Sequence, residues 1–178
     1  MNLKKTKIIG VIGILIFSFI FHFAYDKFPN PLFAIFFPVN ESIWEHMKIL
    51  FTSIMFYSVI EYIIISKANI GINNYLLSSF IVAFLSIPIY LIMYLPLHYT
   101  IGHSMFLAIS LMIICFIIIE IISYYLLQTK PIKYSNYIAI ILTIVIYIIF
   151  GYLTYNPPLY DLFLDPENQM YGINYYTL

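Results

Sequence analysis

Five apolar runs in this chain are each long enough to cross a lipid bilayer. A membrane-spanning helix needs about 20 predominantly apolar residues, and its backbone polar groups must be hydrogen-bonded within the protein. The five runs cover residues 8–25, 43–66, 75–97, 104–127 and 136–155. They predict an all-α polytopic membrane protein with about five transmembrane helices, in which residues 1–178 form a single integral membrane domain.

Composition supports this prediction. Charged residues make up 9% of the chain, well below the ~25% of soluble globular proteins. This composition predicts the lipid bilayer as a partner. The formal net charge is zero, so no nucleic-acid partner is expected. All the basic residues are lysines, and the absence of arginine argues against membrane phosphatases and intramembrane prenyl-protein endopeptidases. The single Cys115 lies within an apolar run and is interpreted as a packing residue.

The lysines predict the orientation, because basic residues concentrate in short cytoplasmic loops. An N-terminus inside and a C-terminus outside leave only Lys27 and Lys48 on the outer side. The other six lysines are then cytoplasmic: Lys4, Lys5, Lys7, Lys67, Lys130 and Lys133. The same threading puts all four histidines at the outer surface, namely His22, His46, His98 and His103.

Two segments outside the long runs have predicted roles. Asn30 is expected to cap a short helix that begins at Pro31 and is ended by Pro38. This helix is interpreted as interfacial or re-entrant, with a simple amphipathic connector as the alternative. Residues 156–178 form an extracytoplasmic tail, which we expect to act as a lid over the outer face.

The most polar stretch lies at the start of the second run. At ~100° per residue, its polar side chains occupy a helical sector of about 160°; they are Glu41, Ser42, Glu45, His46, Lys48, Thr52 and Ser53. Ionisable groups within a membrane segment are costly unless they are paired or hydrated. The sector therefore predicts a polar site that faces outward.

A divalent metal such as Zn²⁺ is the cofactor that these residue types suit best. The predicted metal ligands are His46, His98 and His103. Glu41 or Glu45 is the predicted general base or fourth ligand, and Ser42 and Asn40 are predicted to orient substrate or to stabilise an oxyanion. His22 is either a further ligand or an interfacial residue, and the second interpretation is slightly favoured.

A structural interpretation of the same residues stays open. Ser42-Ile43-Trp44-Glu45 fits a capping box, and Glu45 and Lys48 have the spacing of a surface ion pair. At the inner side, Glu61 is expected near Lys67. Glu120 is either a proton or cation site or the hydrogen-bonded partner of a Tyr or Ser side chain on a neighbouring helix.

The block Pro38-Val39-Asn40-Glu41-Ser42-Ile43-Trp44-Glu45-His46-Met47-Lys48, together with Pro157-Pro158, Leu162–Pro166 and Tyr171-Gly172, resembles an uncharacterised bacterial family of small integral membrane proteins. This resemblance covers nearly the whole chain and implies a multi-pass protein of the bacterial cell membrane. It implies no activity. Separately, His98–Ser104 resembles the H-x4-H-S element of a family of membrane-bound metal-dependent hydrolases, without that family's Arg after the first His and without its D-x-D motif.

Three functional hypotheses follow. The first is a metal-dependent hydrolase that acts on a lipid or another amphiphilic substrate at the outer leaflet. The second is a binding or transport protein for a small molecule or ion, which requires a polar path from His46 to Glu120. The third is an accessory membrane subunit, in which Glu41 and His46 would face solvent without converging. The sequence does not determine the oligomeric state.

Overall fold

The computed structural model describes residues 2–102 and 104–173. These residues form seven α-helices and no β-strand, with one short 3₁₀ helix, Asp161–Phe163, in the C-terminal tail. The helices are α1 (Leu3–His22), α2 (Ala24–Lys27), α3 (Pro31–Phe36), α4 (Ile43–Lys67), α5 (Tyr75–Ile101), α6 (Met105–Leu126) and α7 (Ser135–Tyr155). The all-helical prediction is therefore confirmed.

Four helices, α4 to α7, are long and apolar enough to cross a membrane. They correspond to the second to fifth predicted runs. The first run lies mainly within α1, which has three lysines in its first two turns. Isoleucines on the outer surface of the bundle are exposed, including Ile12, Ile92 and Ile148. An apolar surface of this kind is what a lipid environment solvates.

The short helix between the first two runs forms where its capping residues predict it. The Asn30 side chain accepts hydrogen bonds from the backbone N–H groups of Leu32 and Phe33, each at 3.1 Å, and Pro31 is the first helical residue. Ala34 is fully buried, because α3 packs against α7.

Helix α5 ends later than predicted. The helix continues through Pro96 to Ile101, so His98 lies in its last turn and not in a loop. A proline removes one backbone donor, and here the turn that follows is supported by a 2.8 Å hydrogen bond from the Thr100 hydroxyl to the Pro96 carbonyl. Gly102 ends the helix at φ +90°, a backbone conformation that favours glycine.

Helices α1, α4, α5 and α6 pack around a shared apolar core. Gly13 allows α1 to approach α4 closely, because a Cβ atom there would lie 2.1 Å from the Tyr57 ring. The packing puts His22 beside His46 at one end of the bundle and Lys7 beside Glu61 at the other. We call these the histidine end and the lysine end.

The tail folds back onto the histidine end. The Phe163 ring stacks on Trp44 with 5.0 Å between centroids, and the backbone N–H of Ile173 donates to the Thr154 carbonyl at 3.1 Å. Gly172 is required at its position, since it has φ +64° and a Cβ atom there would lie 2.5 Å from the Thr154 carbonyl oxygen. The part of the tail that the structure describes therefore covers the start of α4.

Candidate functional site

The loop before α4 fixes the positions of the polar residues at the histidine end. Ser42 caps α4 by accepting a hydrogen bond from the backbone N–H of Glu45 at 3.3 Å. The backbone N–H of Ser42 in turn donates to the Asn40 side-chain oxygen at 2.9 Å. This is one half of the predicted capping box. The Glu45 carboxylate does not complete it, and accepts instead from the backbone N–H of Val39 at 2.9 Å.

Three ligand-type side chains converge at this end of the bundle. One ligand atom from each of His22, Glu41 and His46 lies within 4.8 Å of the other two. The Glu41 carboxylate is 3.4 Å from Nε2 of His46 and 3.8 Å from Nε2 of His22. The two imidazole rings are 5.4 Å apart between centroids. All three side chains are partly exposed, so a ligand has access to them.

Hydrogen bonding orients the His46 ring. Its Nδ1 lies 2.8 Å from the Ser42 carbonyl oxygen, and since a carbonyl can only accept, Nδ1 is the protonated nitrogen. In a neutral ring this leaves the lone pair on Nε2, the atom that faces Glu41. Histidines that bind metals usually donate their second ring N–H to a carbonyl or carboxylate in this way.

Two cavities meet at the Glu41–His46 pair. The first has a volume of about 280 Å³ and extends from this pair to His98, with a wall formed by the tail residues Asp161 and Gln169. The second has a volume of about 190 Å³ and runs between α1 and α6. Its other lining is largely apolar: Phe19, Phe23, Ile49, Met105, Ala108, Ile109 and Met112. The pair thus lies where two cavities meet, the first of which has more polar side chains in its lining than the second.

His98 shares a cavity with His46 but does not join the close group of three that the described residues form. Its Nδ1 is 3.2 Å from the Tyr94 hydroxyl, and its ring stacks on Tyr94 at 5.2 Å between centroids. The other predicted ligand, His103, lies outside the described residues. Among the described residues, the imidazole that packs against His46 is that of His22, which the sequence left as either a further ligand or, slightly favoured, an interfacial residue. The signal that pointed to His22 was the placement of every histidine at one end.

Glu45 and Lys48 form a buried network on the other side of α4. They are an ion pair with 2.5 Å between nitrogen and oxygen, and their side chains are 2% and 0% exposed. The predicted ion pair is therefore present, but it is buried and not at the surface. The Lys48 ammonium also donates to the Ala34 carbonyl and to the Thr154 hydroxyl, both at 2.8 Å. The Thr154 hydroxyl donates to Glu45 at 2.9 Å.

This network joins α3, α4 and α7, and it uses the Glu45 carboxylate for packing. Asn40 has a similar role, because its side-chain N–H donates to the Gly172 carbonyl at 2.9 Å and ties the loop to the tail. The Ser42 side chain is buried as the helix cap. The structure thus separates Glu41 and His46, which face the cavities, from Asn40, Ser42 and Glu45, whose polar atoms are bonded within the fold.

The chain matches the model of a family described as "Family of unknown function (DUF6512)" over residues 1–173. No curated protein matches the chain, and no solved structure matches it. The function of the site must therefore be argued from its own geometry.

Proposed function

Since the chain belongs to that family of unknown function, we propose from the site itself that it is a membrane-embedded, metal-dependent hydrolase acting on a lipid or another amphiphile. The observation that supports this most is the convergence of His22, Glu41 and His46. Two imidazoles and one carboxylate are a donor set found in catalytic zinc sites, which use three protein ligands and keep a fourth position open. The bond from His46 Nδ1 to the Ser42 carbonyl gives one of these ligands the orientation that a metal requires.

The site's surroundings support catalysis more than a structural metal. Two of the three proposed ligands, Glu41 and His46, line the cavity that His98 also lines, so a substrate in that cavity would reach the metal. When bound, a divalent ion acts as a Lewis acid and lowers the pKa of its water toward ~7. His98 is the residue that we assign to proton transfer at the leaving group, because it shares the cavity and the Tyr94 hydroxyl fixes its ring.

The two cavities suggest how an amphiphile would lie. The apolar cavity between α1 and α6 suits an acyl chain, and exposed side chains at its mouth, such as Phe23 and Met105, would face the lipid. The cavity beneath the tail suits a polar headgroup. The scissile bond would then lie at the junction of head and chain, next to Glu41 and His46. In this proposal the tail is the lid of the headgroup cavity.

The proposal includes the topology of the chain. Helix α1 is a fifth span, the N-terminus is inside a bacterial cell membrane, and the histidine end faces outward, as the distribution of lysines predicts. The transport alternative requires a polar path between the two ends. The core between them consists mainly of apolar side chains, among them Leu50, Phe51, Ile54, Phe116 and Ile119. Buried serines there, such as Ser53 and Ser86, donate to carbonyls of their own helices, and this favours a site that works from one side.

Metal analysis of the full chain purified in detergent tests the proposal. We expect about one equivalent of zinc after Zn²⁺ loading and dialysis, and a loss of at least tenfold in affinity in each of His22→Gln, Glu41→Gln and His46→Gln. His98→Gln is the matched control and should bind zinc normally. Loss of zinc in His98→Gln with retention in His22→Gln would refute the ligand set. Absence of zinc from the wild type would refute the metal centre.

Hydrolysis is measured separately, as release of fatty acid or headgroup from vesicles of phosphatidylglycerol and phosphatidylethanolamine. We expect zinc-dependent release that is abolished in His46→Gln and reduced in His98→Gln. A His98→Gln variant that binds zinc and keeps full activity would remove His98 from the mechanism. A zinc-loaded wild type that releases neither product would refute the lipid hydrolase.

A further inference from the structure

A second cluster of charges lies at the lysine end, far from the candidate metal site. The Lys7 ammonium lies 2.8 Å from both carboxylate oxygens of Glu61 and 3.1 Å from the Glu120 carboxylate. It also donates to the Ser123 hydroxyl at 2.7 Å. The three charged side chains are between 4% and 7% exposed. The prediction that Glu61 lies near Lys67 did not anticipate that Lys7 would be its partner.

The charges in this cluster do not balance. Two carboxylates face one ammonium, so the fully ionised cluster has a net charge of −1 within the bundle. An uncompensated charge at such a depth is costly. Binding one proton removes the imbalance, because a neutral carboxyl group then lies beside a single ion pair.

Hydrogen bonding gives an independent reason for a missing proton. The Lys7 ammonium has three N–H donors, and two of them go to Glu61 Oε2 and Ser123. The buried oxygens Glu61 Oε1 and Glu120 Oε2 lie 2.8 and 3.1 Å from the same nitrogen, so the one remaining N–H can serve only one of them. A proton on the other converts an acceptor without a donor into a donor. Gly10 leaves room for the Glu120 carboxylate, since a Cβ atom there would lie 2.6 Å from Glu120 Oε1.

Within residues 2–102 and 104–173, the groups around the cluster offer no second cation inside it. Tyr57 of α4 lies beside the cluster, and the Tyr75 hydroxyl of α5 is 3.0 Å from Glu61 Oε2. Lys4 of α1 and Tyr124 of α6 line a groove of about 710 Å³, which Lys7 and Glu120 also line. Lys4 is exposed, so its charge is largely screened by solvent. The groove gives protons access at the lysine end, and the core beyond the cluster is mainly apolar.

We propose that Lys7, Glu61 and Glu120 form a proton-binding site that holds one proton between the two carboxylates at neutral pH. The site exchanges this proton with the lysine side of the membrane. It is independent of the metal centre and of the hydrolase proposal.

Infrared difference spectroscopy of the full-length protein in detergent tests this directly. At neutral pH the wild type should show the C=O band of one protonated carboxyl group, and this band should disappear at high pH. Glu120→Gln and Glu61→Gln should each lack it, because the remaining carboxylate pairs with Lys7 as an ion pair. Glu167→Gln, in the exposed part of the tail, should retain it. Absence of the band in the wild type, or its persistence in both glutamine variants, would overturn the proposal.

Lys7→Met should have the opposite effect on the infrared C=O band. Without the ammonium both carboxylates must be neutral to stay buried, so the band should roughly double. An unchanged or weaker band in a folded Lys7→Met variant would contradict the charge count. The wild-type spectrum decides the proposal even if this variant does not fold.

The direction in which stability changes with pH provides a further test. A glutamate in the unfolded chain releases its proton above pH ~4.3, whereas the folded cluster keeps one. Folded wild type therefore binds more protons, and its stability falls as pH rises until the infrared band is lost. Over that range its unfolding constant should rise by up to tenfold per pH unit relative to Glu120→Gln. If the free energies of unfolding of the wild type and Glu120→Gln changed in parallel with pH, the proposal would be overturned. Loss of the infrared band on adding Na⁺ at constant pH would also overturn it and would assign the site to sodium.

Discussion

Replacing Lys48 with methionine tests whether Glu45 holds the fold together or serves the site. The change removes the only ammonium that the structure places against the buried Glu45 carboxylate, and it also removes the hydrogen bonds to Ala34 and Thr154. The carboxylate would keep its donors from Val39 and Thr154 but would be an uncompensated charge.

The loss of stability expected for Lys48→Met follows from the burial of the Glu45–Lys48 ion pair. Breaking a fully buried ion pair by removing one partner destabilises a protein by about 3–5 kcal/mol. Lys67→Met, at the exposed end of the same helix, is the matched control and should change the free energy of unfolding by no more than about 0.5 kcal/mol. Both values are measured by SDS titration in mixed micelles, with helix content followed by circular dichroism.

The double variant Glu45→Gln with Lys48→Met makes the test specific. It removes both charges. The glutamine oxygen can still accept the hydrogen bond from Val39, and its amide N–H can donate to the Thr154 hydroxyl, which no longer accepts from Lys48. We therefore expect the double variant to be more stable than Lys48→Met alone, with a coupling energy within the 0.5–3 kcal/mol range of neighbouring residues (about 2 kcal/mol). The reasoning is refuted if Lys48→Met costs no more than Lys67→Met, or if the two substitutions are simply additive.

Two further predictions concern the close approach of α1 to α4 and the attachment of the tail. Gly13→Ala places a methyl group against the Tyr57 ring and should cost about 1–3 kcal/mol, whereas Gly71→Ala, with nothing within 4 Å of the added Cβ, should be neutral in the same SDS titration. Asn40→Ala removes the hydrogen bonds to the Gly172 carbonyl and from the Ser42 N–H, so it should destabilise the protein by about 1–3 kcal/mol and accelerate chymotrypsin cleavage in the tail; an unchanged cleavage rate would show that the bond to Gly172 does not hold the tail.

Local patterns were enough to predict most of the helices. The second predicted run, 43–66, differs from α4 by one residue, because a capping serine and a continuous apolar segment define its ends. The predicted run stops at residue 97, one residue after Pro96, whereas α5 continues for four more residues to Ile101. A proline costs the helix one hydrogen bond, and whether the helix continues past it depends on the packing of the final structure, which the local sequence does not show.

Sequence alone placed the histidines at one end but did not identify which of them meet. The contact between His22 and His46 depends on how α1 packs against α4. That packing depends on Gly13, whose missing side chain gives little signal in an apolar run. The charge pattern at the lysine end was equally hard to interpret, because Lys7 was assigned to the positive cytoplasmic flank and its partners lie 54 and 113 residues away.

The polar sector of α4 contains two separate systems, although its sequence predicts one stripe. Successive residues on a helix point about 100° apart, so Glu45 and His46 diverge even though they are adjacent. Glu45 pairs with Lys48 and contacts α7 through Thr154, while His46 turns toward His22 on α1. Stability and metal binding should therefore be affected by different substitutions.

This separation gives a final test. Lys48→Met and Glu45→Gln should lower the free energy of unfolding while the folded protein keeps its zinc affinity within about threefold. His22→Gln and Glu41→Gln should abolish zinc binding with little effect on the stability of the metal-free protein, because both side chains are partly exposed. If Glu45→Gln instead removed zinc without loss of stability, Glu45 would be a metal ligand, and the buried ion pair would not be what holds the start of α4 in place.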